Sequence, residues 1–145
     1  MTGARRAVSC AALLAVLAGC GESAHDKLVA DANRICRDGD HRIRALPMTA
    51  KDQRALAALT EREAAIIQDA RTRLGRLEPP PDLRQRFARY LAAFDVNAHT
   101  AKVIALAARA GRLAEIQRLV AQARGDTARA RGLARDLGFR DCARP

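Results

Sequence analysis

The side chains with most chemistry to offer in this 145-residue sequence are His25, His41 and His99, the cysteines Cys10, Cys20, Cys36 and Cys142, and the run Asp38-Gly39-Asp40-His41. A zinc site on a helix needs ligands a turn apart, and none of the histidines has another within that reach. The Asp38–His41 run has ligand-type side chains but lacks the further carboxylates of a calcium loop. It falls in mid-helix on a polar face and reads as a solvated surface before it reads as a metal site. The sequence has no H-E-x-x-H, no C-x-x-C-H, no G-x-S-x-G elbow, no glycine-rich phosphate loop and no E-x-x-H pair for a di-iron bundle. The expectation is therefore a protein that is not an enzyme and holds no metal and no cofactor.

The elements that would position these residues are helical. β-branched residues are few and do not alternate with polar ones. The first predicted helix covers about 25–46, with Leu28, Ala32, Ile35, Gly39, Ile43 and Leu46 at spacings of three and four, and Pro47 closing it. The second covers about 50–77 behind a Thr49 cap, on the stripe Leu56, Leu59, Glu63, Ile66, Ala70, Leu74 and Leu77. Pro79-Pro80-Pro81 breaks the chain. A third helix follows to about Ala110 on Leu83, Phe87, Tyr90, Phe94, Asn97, Ala101, Ile104 and Ala108, and Gly111 caps it. The fourth runs from about Arg112 to Leu137 on Leu113, Ile116, Val120, Ala123, Thr127, Ala130, Ala134 and Leu137, and ends at Gly138. Short connections make neighbours antiparallel, so the predicted fold is all-α, an up-down-up-down four-helix bundle over residues 25–145.

Within those stripes Glu63, Asn97 and Thr127 stand where apolar residues belong. Counted along antiparallel helices they fall near mid-height, where they would form one buried polar layer, a device that can fix register at some cost in stability. The bland alternative puts Glu63 at the edge, reaching solvent. Phe87, Tyr90 and Phe94 share one face and read as core packing before they read as a pocket wall. Arg118, Arg124, Arg129, Arg131 and Arg135 lie off the apolar seam of the fourth helix and read as a solvated face first, an anionic-surface contact second.

The N-terminus is of another kind. Arg5 and Arg6 precede an apolar run from Ala7 to Ala18, too short to span a bilayer, which takes about 20 residues. Leu17-Ala18-Gly19-Cys20 resembles the bacterial lipobox. That resemblance implies a signal peptide at 1–19, acylation of the Cys20 thiol, cleavage before it, and a short tether at 20–24. It implies an exported protein anchored by membrane lipid at the outer face of the cytoplasmic membrane. An ordinary secretory signal and a retained signal anchor are the alternatives, and the paired arginines hint only weakly at twin-arginine export. Loss of the first 19 of 145 residues leaves 126, one domain's worth, and loss of Arg5 and Arg6 takes the formal charge from +10 to +8. Abundant Ala and Arg point first to a GC-rich genome and good helix formers, and second to an anionic partner. No basic stretch interleaved with aromatics suits nucleic acid.

Three motifs extend the likeness through the body: Ala32-Asn33-Arg34-Ile35-Cys36, the segment Pro80–Leu91, and Leu137-Gly138-Phe139-Arg140-Asp141-Cys142-Ala143. Together they resemble small all-helical lipoproteins exported by GC-rich actinobacteria. That type implies fold and topology and brings no activity with it. If Cys10 leaves with the signal and Cys20 carries lipid, Cys36 and Cys142 remain in a compartment where disulfides persist. The fourth helix should end near the level where the first begins, so a Cys36–Cys142 bridge is expected; two buried free thiols or intermolecular pairing are the rivals. The expected function is a membrane-anchored, non-enzymatic interaction or envelope-support module, meeting an anionic envelope surface or an envelope protein. The alternative is a carrier of a small ligand or metal between the helices.

Overall fold

The computed structural model describes residues 23–144; the lipobox-like tetrad and the expected signal lie outside the described residues. Ser23 starts the first helix, α1 (Ala24–Arg44), by accepting the Asp26 N–H on its hydroxyl at 3.0 Å and donating to the Asp26 carboxylate at 2.6 Å. Ala24, expected in the tether, is thus helical. The helix stops at Arg44, short of the expected Leu46, because Pro47 disfavours helical geometry at the residue before it. The second helix, α2 (Gln53–Leu74), is capped by Asp52, whose carboxylate accepts the Ala55 N–H at 2.8 Å. The expected Thr49 cap and Ala50 start are corrected accordingly: a carboxylate three residues on also meets the positive end of the helix dipole.

After the proline break α3 (Arg84–Arg109) begins, and α4 (Leu113–Asp136) follows it. Both close as expected at glycines with positive φ, +70° at Gly111 and +77° at Gly138. In each, the residue after the glycine donates its N–H back five positions, Arg112 to Ala107 O and Phe139 to Ala134 O, both at 2.9 Å. This is the Schellman closure that an L side chain resists.

The four helices form an all-α bundle in which α1 packs on α2, α2 on α3 and α3 on α4. Ion pairs record the register: Arg73 with Asp38, Arg42 with Asp69, Arg71 with Asp95 and Arg109 with Glu61. Gly39 sits against Ala70, so antiparallel counting puts the end of α1 level with about residue 65 of α2. The first dozen residues of α2, about 18 Å, have no α1 beside them. At the far end burial falls mostly on small residues and moves off the expected stripe of α4: Ala57, Ala105, Ala108 and Leu119 are buried, while Val120 is 39% and Leu113 59% exposed.

The core lies at the other end. Leu28, Ala32, Ile35, Leu74, Phe87, Tyr90, Ala134 and Leu137 close around Phe139, which is fully buried. Phe139 meets Tyr90 edge-on at 5.5 Å and Phe87 at 6.1 Å between ring centroids. Phe87 and Tyr90 of the aromatic stripe are core, as expected, Phe94 is half-buried against them, and the chain beyond α4 completes the cluster.

Candidate functional site

The chain after Gly138 folds back along α1. A Cβ built on Gly138 would lie 3.6 Å from Val29, which fixes the level at which α4 ends. Cys36 is about 10 Å further along α1 from there, a span that residues 139–142 cover easily. Cys36 and Cys142 are joined by a disulfide with Cα atoms 5.1 Å apart. Its neighbours in sequence hold the tail beside it. Asn33 Oδ1 accepts the Asp141 N–H at 2.8 Å. The Asp141 carboxylate, with only 7% of its side chain exposed, takes Arg37 at 2.6 Å and Arg144 at 2.8 Å. The Tyr90 hydroxyl lies 3.9 Å from Cys36 Sγ, and burial pushes its ionisation far above the ordinary tyrosine range.

Beside this bridge is a half-open cavity of about 220 Å³. Its apolar wall comes from Ile43 of α1, Ile66, Ile67 and Ala70 of α2, Phe94 of α3 and Ala130 of α4; Gly39, having no side chain, leaves the space open. Polar groups on its wall include Asn97, Thr127 and Arg131, with Cys36, Cys142 and Tyr90 also bordering it. The Asn97 Oδ1 atom is buried and has no hydrogen-bond partner. A buried acceptor without a donor is a costly arrangement for a core to keep.

The expected polar layer is only partly assembled. Asn97 and Thr127 border the same cavity; Glu63 is exposed and lines an adjoining groove with Leu56, Ile104, Ile116 and Val120, and Thr127 and Arg131 border both. Glu63 falls on the stretch of α2 that outruns α1, so one side of the bundle is missing at its level. A stripe read from sequence has no access to that stagger.

The Asp38–His41 run is spent on structure. Asp38 binds Arg73 and, at 3.9 Å, Arg42; Asp40 binds Arg44 at 3.0 Å; Gly39 is buried. The hydrogen bond from Arg73, with the charges of Arg73 and Arg42 behind it, holds the Asp38 carboxyl below the usual carboxylate range. His25, His41 and His99 are all exposed. Among the described residues no three His, Cys, Asp or Glu side chains gather as a metal site would require, and no helix is long and apolar enough to cross a membrane.

Phe139 and Asn33 stand in the sequence motifs, but no role was assigned to either. That of Phe139 was legible in principle, because an apolar residue after a C-terminal glycine commonly packs back on its helix. That of Asn33 depends on a partner 108 positions away. The chain matches no known family model, no curated protein and no solved structure.

Proposed function

We propose that the protein is an exported lipoprotein, held by acylated Cys20 at the outer face of the cytoplasmic membrane. It acts there as a non-enzymatic helical module against an anionic envelope surface or an envelope protein. The lipobox-like tetrad Leu17-Ala18-Gly19-Cys20 carries this reading. The Cys36–Cys142 bridge supports it, because disulfides persist in oxidising compartments outside the cytosol. The short spacing supports it too: only Gly21 and Glu22 separate Cys20 from the Ser23 cap, so the start of α1 would lie close to the headgroups. The same end of the bundle exposes Lys27, Arg76, Arg84, Arg86 and Arg140 beside Asp26, Glu78, Asp82 and Asp136, a slight excess of cations that suits anionic lipid. Two or three acyl chains anchor stably where one does so only marginally, so the basic end would set orientation more than attachment.

The test is acyl labelling in cells. Wild-type chain takes up labelled fatty acid and is shortened by its first 19 residues, while Cys20→Ala stays unlabelled and uncut. Normal labelling or processing of Cys20→Ala defeats the proposal.

A further inference from the structure

We propose that the groove between the far ends of α2 and α4 receives an amphipathic helix of an envelope protein, a helix with an apolar seam and an acidic edge. The inference rests on the reading above for where the partner resides, and on the groove itself for what the partner must be. α2 and α4 both pack on α3, so Ile104 of α3 is the floor; Leu56 and Thr60 of α2 and Ile116 and Val120 of α4 are the walls. Among the described residues, none of α1 and none of the connection 45–52 lines it. The opening has a cause: α1 stops at Arg44, level with about residue 65 of α2, and Pro47 follows. A groove with helices on three sides, where a four-helix bundle lacks its fourth, is the place of a helix. About a dozen residues, three turns, cover its roughly 18 Å.

Charge sets the partner's chemistry. Leu113 and Val120, 59% and 39% exposed, stand seven residues apart on one edge of α4, and Arg124, Arg131 and Arg135 continue that edge at spacings of four, seven and four. Arg124 and Arg131 line the groove; the carboxylate in its lining, Glu63, is on the opposite wall. Among the described residues the ion pairs leave all three of these arginines out, while Arg109 and Arg112 at the same end are paired with Glu61 and Glu115. A helix with Asp or Glu along the edge that meets α4 gives those cations partners, and its seam, at helical spacing, reaches Ile104 and Ile116. A second copy brings the wrong sign, with 26 Lys and Arg against 16 Asp and Glu. An anionic polymer or headgroup meets the arginines but leaves the apolar floor and Val120 uncovered. The groove is half-open along its length, whereas small-molecule sites bury roughly 70–90% of their ligand.

The full chain, with its bridge formed and its isoleucine methyls labelled, is titrated with three peptides and followed by NMR. Each peptide has about 14 residues and is stapled on its solvent face, because so short a helix is marginal alone. The first has leucines on one seam and glutamates on its flanks, the second lysines in place of the glutamates, and the third the composition of the first with the leucines scattered around the helix. Ile104 and Ile116 report on the groove, and Ile35, buried in the core, is the control. The expected result is a saturable shift of Ile104 and Ile116 by the first peptide, with the other two about tenfold weaker. Arg124→Glu weakens the first peptide about fivefold and tightens the second, and added salt weakens the first. Val120→Asp abolishes binding; Leu113→Asp, on the same edge, is measured if that variant does not fold. The proposal is overturned by the absence of a saturable shift, by equal binding of the lysine peptide, or by wild-type affinity in Val120→Asp. Equal binding of the scattered peptide overturns it in favour of an anionic surface. A dimer of the chain alone that Val120→Asp dissociates, seen by sedimentation, overturns it in favour of a second copy. No lipid takes part, so failure here and failure of the Cys20→Ala test are separate results.

Discussion

Asn33 and Asp141 meet across 108 positions of sequence, the Asn33 side-chain oxygen accepting the Asp141 backbone N–H at 2.8 Å. The bond holds the tail against α1 one turn before Cys36, so it aligns Cys142 for its bridge. Ala32, next to Asn33, is fully buried, and its carbonyl lies 3.6 Å from Cys142 Sγ. The Ala-Asn-x-Ile-Cys segment and the Asp-Cys-Ala tail are thus two halves of one contact. Asn33→Ala leaves a partly buried N–H unmet and should cost about 1–2 kcal/mol. Asn33→Asp, which still offers an acceptor, should cost less. Urea unfolding with the bridge intact measures both; equal losses would mean that the amide contributes by packing rather than by accepting.

The bridge closes a separation of 106 residues. The chain-entropy model assigns such a loop about 4–5 kcal/mol, an upper expectation for a real protein. Cys36→Ser with Cys142→Ser should lower the unfolding midpoint markedly while leaving the helical content of the folded state unchanged. Wild-type protein, denatured without reductant, should show no alkylation at Cys36 or Cys142 by mass spectrometry, and alkylation at both once reduced. Labelling before reduction would show that the bridge is not formed.

The legible and illegible parts of this fold differ in the range of the forces that set them. Gly111 and Gly138 were readable as caps because a positive φ is a local demand that glycine meets best. Leu28, Ala32, Ile35 and Gly39 were readable as one face because their spacing is helical, and all four are buried. Asp52 was not separable from Thr49 as a cap, since both are capping residues within one turn. For Glu63 the stripe left two readings, a buried layer or an edge reaching solvent; its exposure fits the second, and the reason is long-range, because α1 ends before reaching its level. For the cavity, Asn97 and Thr127 stood out as polar breaks in apolar stripes, and the structure puts both on its wall. The contribution of Gly39, which is space, follows only from knowing what lies opposite.

The ion pairs between α1 and α2 give stability a sign on the pH axis. The folded Asp38 carboxyl is held below its unfolded value of 3.8, chiefly by the Arg73 hydrogen bond. A group whose folded pKa is depressed contributes above the unfolded value and loses that contribution as pH falls through the folded one. Asp38→Asn should therefore be less stable than wild type at pH 7, with the gap closing as pH falls through the unfolded value of 3.8 and on through the lower folded one. The pair is partly solvated, so the gap at pH 7 should be modest and should shrink in high salt. Chemical denaturation at several pH values measures it, and a gap constant with pH would assign the loss to packing.

Two glycines close to the site should respond to alanine in opposite directions. Gly39 is in mid-helix, and a Cβ there would meet Ala70 at 3.8 Å, an ordinary contact. Gly39→Ala removes backbone freedom from the unfolded chain without strain and should stabilise by about 0.5–1 kcal/mol. The added methyl also takes volume from the cavity that Gly39 borders. Gly138 has a φ of +77°, where an L side chain is strained whatever the space around it. Gly138→Ala should destabilise by about 1–2 kcal/mol. Because Phe139 and Cys142 follow directly, that variant should also slow bridge formation during oxidative refolding. Unfolding midpoints of the two variants, read beside wild type, should fall on either side of it; Gly39→Ala falling below would mean that the space beside Ala70 is too tight for a methyl.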